Sequence, residues 1–143
     1  MLVSEILRIK GSTTLFTTTP HGNVRDSVKV MAENDIGSLV VMEQGKLCGM
    51  LTFREVLSEL DRRDGVLGDA RVGSVMETAP FVADPHMEVM ALRGHMLDRH
   101  ARYVPVVDNG TLLGVVSFHD VAKAVYEEQS FENSMLKDYI AAA

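Results

Sequence analysis

Apolar and polar positions along this chain change period several times, and each change marks an element. Val3, Ile6 and Leu7 recur at helical spacing, which predicts a short helix over 3–9, broken by Gly11-Ser12. Leu15 to Thr18, aromatic and β-branched, reads as a short strand, with Pro20 and Gly22 making the turn after it. Asn23 stands where an N-cap belongs, and Val24, Val28, Met31 and Ala32 mark one face of a helix running to about Asn34. Leu39 to Met42 and Leu47 to Leu51 are apolar runs joined by Glu43-Gln44-Gly45-Lys46. They read as a hairpin without polar alternation, so both of its faces should be covered. Thr52 then caps a helix through Phe53, Val56, Leu57 and Leu60.

Residues 62–71 carry two glycines, mixed charge and little apolar content, and read as a linker. The pattern then returns. Val72, Val75 and Met76 repeat the short helix, Phe81-Val82 reads as a strand, and Val89, Leu92, Met96 and Leu97 give a helix face. Tyr103 to Val107 and Leu112 to Val116 are strands around Asp108-Asn109-Gly110, a strong hairpin turn. Ser117 opens a helix through Val121, Ala122 and Val125, and Phe131, Met135, Leu136 and Tyr139 give a separate amphipathic tail. Gly114 lies 65 positions after Gly49, and at that offset residues 20–56 match their counterparts at ten positions without a gap. They are Pro20, His21, Val24, Met31, Val41, Gly45, Leu47, Gly49, Phe53 and Val56. Chance would give roughly two or three. The chain is a duplication: two strand–helix–strand–strand–helix halves, an α/β (α+β) architecture packed sheet to sheet. The expected divisions are 1–62, a linker at 63–71, 72–128, and a tail helix at 129–143.

Composition narrows the function. Apolar residues make up 46% of the 143, enough for a real core, and the net charge of −6 argues against nucleic acid. The one cysteine, Cys48, can form no internal disulfide, and its apolar flanks suggest a buried, inert thiol in a reducing, cytoplasmic setting. No apolar run approaches the roughly 20 residues of a membrane span, and Met1 to Lys10 lacks the apolar centre of a signal peptide. There is no phosphate loop of the G-x-x-x-x-G-K-[ST] kind and no recognisable nucleophile–base spacing, so no enzyme is expected. His21 and His86 match each other but have no partners at ligand spacing, and no metal is expected. The nine methionines, Met31, Met87, Met90 and Met96 among them, read as soft filler between the halves, where Phe53 and Phe118 would wedge.

The two stretches Gly49-Met50-Leu51-Thr52-Phe53-Arg54-Glu55 and Gly114-Val115-Val116-Ser117-Phe118-His119-Asp120 carry a family resemblance. Glycine, two apolar residues, Ser or Thr, two variable residues and Asp is similar to the signature of cystathionine-β-synthase (CBS) domains. The second half matches in full, and Tyr103 to Asp108 resembles that family's second strand. The first half has Glu55 for the Asp and lacks the strand proline. The chain thus resembles a tandem CBS pair over about residues 3–126. The resemblance implies a regulatory, non-catalytic module that binds an adenine nucleotide between its halves. AMP is the first expectation, with ATP or NAD as alternatives, and two modules often pair as a homodimer.

Ser117 with Asp120, and Thr52 with Glu55, have the spacing of capping boxes, in which hydroxyl and carboxylate cap the helix start. The other reading gives the carboxylate to a ribose and turns the hydroxyl and helix N-terminus toward a phosphate. Asp is the shorter reach for capping, so Asp120 is the better ribose residue and Glu55 the weaker. Tyr103, Val104 and Pro105, with Ser38 and Leu39 as first-half counterparts, are candidates for an adenine slot, because a proline suggests a strand edge at a cleft. Arg54, His119 and Arg102 are the phosphate candidates, and His100 stands beside them. The expected function is a nucleotide or metabolite sensor that signals to a protein partner. The alternative is a ligand-free dimerisation scaffold whose carboxylates only cap helices.

Overall fold

The computed structural model describes residues 1–11 and 14–142. Its elements run α1 (Val3–Lys10), β1 (Thr17–Thr18), α2 (Val24–Glu33), β2 (Ser38–Glu43), β3 (Lys46–Thr52), α3 (Phe53–Arg62), α4 (Val72–Val75), α5 (Val89–Arg99), β4 (Tyr103–Asp108), β5 (Thr111–Ser117) and α6 (Phe118–Ala142). In the first half β1 lies parallel to β2, and β2 pairs antiparallel with β3. In the second half β4 pairs antiparallel with β5, and Ala83 makes a single parallel bridge to Val106 where β1 meets β2. The two hairpins are superimposable in register. Both turn through residues of positive φ, Gln44-Gly45 (51° and 75°) and Asn109-Gly110 (49° and 82°), the geometry that matches strand twist. Both shift register at the same place, Val41/Met42 and Val106/Val107.

The short helices are exchanged between the halves. The Val3 and Ser4 amides bond the Met87 and Pro85 carbonyls, so α1 docks on the second half. The Val72 and Gly73 amides bond the Gly22 and Pro20 carbonyls, so α4 docks on the first. Each half therefore completes its core with a helix from the other end of the chain. One core joins Val24, Leu39, Val41, Leu51 and Val56 to Val72. The other joins Leu92, Met96, Val104, Val106 and Val121 to Val3 and Ile6. A third, smaller cluster of Val40, Met50 and Leu112 lies where the two hairpins face each other. Each hairpin is thus packed by helices on one side and by the other hairpin on the opposite side, except that β5 leaves Leu113 exposed.

Several local expectations are corrected. Phe81-Val82 forms no strand, because only Ala83 reaches the edge of β4. The 15–18 strand shrinks to Thr17–Thr18. Leu97 is exposed rather than part of the α5 core face. The tail is no separate element: α6 is one helix of 25 residues, and 128/129 falls inside it. Nothing in Val125 to Phe131 breaks a helix, so it continues past the body, with Phe131, Met135, Leu136 and Tyr139 exposed. Met31 and Met96 fill the cores of their own halves, Met90 is exposed, and the interface methionines are Met42 and Met50. Cys48 is half-buried against the first core, and burial raises its thiol above the ordinary range. Residues 63–71 are tied down, since Arg63 bonds Glu59 and the Leu67 carbonyl and the Ala70 carbonyl accepts from Val24. Among the described residues no helix is long and apolar enough to cross a membrane, and no group of three metal-ligating side chains occurs.

Candidate functional site

The second strand of each hairpin runs straight into a helix, and the residue at the junction caps it. Thr52 Oγ1 accepts from the Arg54 amide at 3.2 Å, and Glu55 Oε1 accepts from the Thr52 amide and hydroxyl at 2.8 Å each. Ser117 Oγ accepts from the Asp120 amide at 3.0 Å, and Asp120 Oδ2 accepts from the Ser117 amide at 2.8 Å. Both halves form the reciprocal capping arrangement.

The second half adds a cation. Lys10 Nζ donates to Asp120 Oδ2 at 2.8 Å and to the Val115 carbonyl at 2.9 Å. In the first half the equivalent carbonyl, that of Met50, accepts from the Glu77 amide at 2.9 Å instead. An ammonium thus replaces a peptide group, because α1 stays helical through Lys10 whereas α4 ends at Val75 and the chain continues extended. The Asp120 side chain is only 17% exposed. Burial pushes its carboxyl up, but Lys10 and the Ser117 donors outweigh that and hold it below the ordinary carboxylate range.

Beside Lys10 a cleft of about 1190 Å³ opens between the halves. Its walls are the last turns of α1, residues 14–16, the 34–38 loop before β2, and β5 with the start of α6. Arg8, Lys10 and Arg102 give it positive charge, Ile36, Val40 and Leu113 give it apolar surface, and Ser117 to His119 present a helix N-terminus. A large, partly apolar cleft with convergent cations and a helix N-terminus suits an anionic ligand with a flat apolar part. Around the other helix start, at Thr52, the space is only about 20 Å³.

The structure divides the residues expected from sequence into three groups. Ser38, Arg102, Tyr103, Ser117 and His119 line the open cleft, and Asp120 is linked to it through Ser117 and Lys10. Thr52, Arg54 and Glu55 line the small cleft, with Arg102 and Tyr103 again and His100 beside them. Leu39, Val104 and Pro105 do not reach either one. Leu39 and Val104 belong to the two cores, and Pro105 is buried, its carbonyl taking the Ala83 amide. The proline does mark a strand edge, but the Ala83 segment covers it. Lys10, Arg8, Phe16, Asp35, Ile36 and Leu113 also line the open cleft and were not expected from sequence. Phe16 matches Phe81 at the 65-residue offset, and Asp35 and Ile36 are the counterparts of His100 and Ala101, so the repeat carried a signal for these three.

The CBS domain model matches residues 3–62 and 72–127. The mitochondrial CBS domain-containing protein CBSX3 of Arabidopsis thaliana is 30% identical over 147 residues, spanning 96% of this chain and 71% of that protein. A protein with CBS domains from Burkholderia ambifaria superposes with a TM-score of 0.84 at 27% identity, covering 90% of this chain and 96% of that one. CBSX2, solved in complex with AMP, superposes with a TM-score of 0.73 at 22% identity, covering 90% and 98%. Two matched repeats, the shared fold and the paired helix starts lead to one conclusion: the chain belongs to the CBS domain family and is a tandem CBS pair.

Proposed function

We propose that the chain is a regulatory module that binds one adenine nucleotide in the cleft beside Lys10 and passes its bound state to a protein partner. The observation that carries this reading is the cleft itself: about 1190 Å³, with Arg8, Lys10 and Arg102 on its walls and the N-terminus of α6 facing it. The AMP complex of CBSX2, a protein of the same fold, supports the ligand class. The phosphate meets Ser117, the α6 amides and the cations, while the base lies against Ile36, Val40 and Tyr103. The Asp120 carboxylate, held by Lys10 in the free chain, is available to the ribose once Lys10 turns to the phosphate. A ligand that favours one arrangement of the halves shifts the population toward it, with no chemistry required. Pairing of two modules as a homodimer and output through the exposed part of α6 complete the proposal.

The full use of Asp120 Oδ2 in capping and in the Lys10 pair favours a second reading, a ligand-free scaffold. Thermal unfolding with AMP, ADP, ATP, NAD and S-adenosylmethionine separates the two. A ligand at about 100 times its dissociation constant adds about 2.7 kcal/mol to stability. The expected result is a rise in Tm with at least one adenine nucleotide that is reduced in Lys10→Ala and Asp120→Ala. No shift with any of the five compounds would leave the scaffold reading.

A further inference from the structure

The small cleft stands at the position related to the open one by the internal repeat, and it begins with the same kind of cap. Yet its volume is about 20 Å³ against about 1190 Å³. That is room for about one water molecule and far below the roughly 300 Å³ at which ligand pockets begin.

What fills it follows from the 65-residue offset. Gly37 and Ser38 of the open cleft become Arg102 and Tyr103 in the closed one, and His119 becomes Arg54. The Phe53 ring meets the Tyr103 ring edge-on at 6.1 Å, and the Arg102 guanidinium lies 5.3 Å over Phe53. Across the mouth, the Arg54 guanidinium donates to the His100 carbonyl, tying the first turn of α3 to the end of α5. His100 has a left-handed backbone (φ 53°), as does its counterpart Asp35 (φ 50°), so the turn leading into β4 has the same form as the one leading into β2. Two things separate the clefts: the Glu77 main chain lines the closed one where Lys10 stands in the open one, and an aromatic ring and two guanidinium groups lie where the open cleft has glycine, serine and histidine. A planar ring with cations beside it reproduces the type of surface a bound base would otherwise meet.

We propose that Arg54, Arg102 and Tyr103 are a built-in occupant of the second nucleotide site, so that each chain takes a single ligand, in the Ser117 cleft. This rests on the nucleotide reading of the open cleft. The test gives the closed cleft the residues of its twin, in Arg54→His/Arg102→Gly/Tyr103→Ser. Arg54→His/Arg102→Gly, which changes only exposed residues, serves if the triple variant fails to unfold cooperatively. Each is photolabelled with 8-azido-AMP, with and without excess AMP, and the labelled peptides are mapped. Wild type should label at residues 34–38, 102–103 or 112–119, which all line the open cleft, and not at 52–55. The variant should gain AMP-protected label at 52–55, rising from background to a level comparable with that of the open cleft in wild type. Label at 52–55 in wild type, or a folded variant without it, would overturn the proposal. Wild type without label at the open cleft would refute the nucleotide reading there, and the variant's gain or lack of second-cleft label would still decide the role of the three residues.

Discussion

Gly49 and Gly114 occupy the same place in the two repeats, each facing the strand bulge of its hairpin, and only their tertiary neighbours differ. A Cβ on Gly49 would lie 2.6 Å from the Glu77 carbonyl oxygen and 2.7 Å from Met76 Sδ. A Cβ on Gly114 would meet only Leu7, at 3.0 Å from Cδ2 and 3.9 Å from Cδ1. The first obstacle is main chain, held by the 3.0 and 2.9 Å hydrogen bonds between Met50 and Glu77. Restoring ordinary contact requires moving that carbonyl by about 0.8 Å, which takes its bond to Met50 past hydrogen-bonding distance. The loss of one or two such bonds, about 1 kcal/mol each, adds to about 1–2 kcal/mol of overpacking. The lower entropy of the unfolded Ala chain offsets about 0.5 kcal/mol. Gly49→Ala should therefore destabilise by about 2–3 kcal/mol. At Gly114 a flexible side chain can give by a few tenths of an ångström, so Gly114→Ala should cost about 0–1 kcal/mol. Urea unfolding at 25 °C, followed by far-UV circular dichroism, measures both. Equal effects, or a larger effect at Gly114, would refute the claim that the exchanged segments, α1 and the chain after α4, set the environment of these glycines.

The Lys10–Asp120 pair sets a pH dependence. Its carboxyl titrates below its ordinary value in the folded chain, so its contribution is present above about pH 4 and is lost as pH falls through the folded value. Lys10→Met should cost about 1 kcal/mol at pH 7 and flatten the stability profile between pH 5 and 3, judged by urea midpoints across about that range; parallel profiles for variant and wild type would sink this. Gly37→Ala tests the wall between the clefts, since its Cβ would stand 2.0 Å from Tyr103 Oη. Tyr103 would have to leave Phe53, at a cost of about 1–3 kcal/mol, and a Tm within a degree of wild type would show that the ring moves freely.

The duplication, the hairpins, the helix starts and the family were legible in the sequence, because each rests on local spacing. A type of turn that needs Asn-Gly, a cap that needs Ser and Asp three apart, and a 65-residue repeat are all written within a few neighbouring positions or their copies. Two features were beyond reach. Lys10 meets Asp120 across 110 positions, and only the exchange of α1 onto the second half brings them together. No sequence period signals that contact, because a single lysine at a helix end is equally at home in solvent. The inequality of the two clefts was likewise hidden. Glu55 and Asp120 were the visible difference between the copies, yet both cap their helices alike. The closed cleft is lined instead by Arg54, Arg102 and Tyr103 where the open one has His119, Gly37 and Ser38, residues contributed by opposite halves. Sequence determined two equivalent frames, since backbone geometry follows local rules. Tertiary structure decided which frame is open, since that depends on which side chains and which exchanged segment enter the space between them.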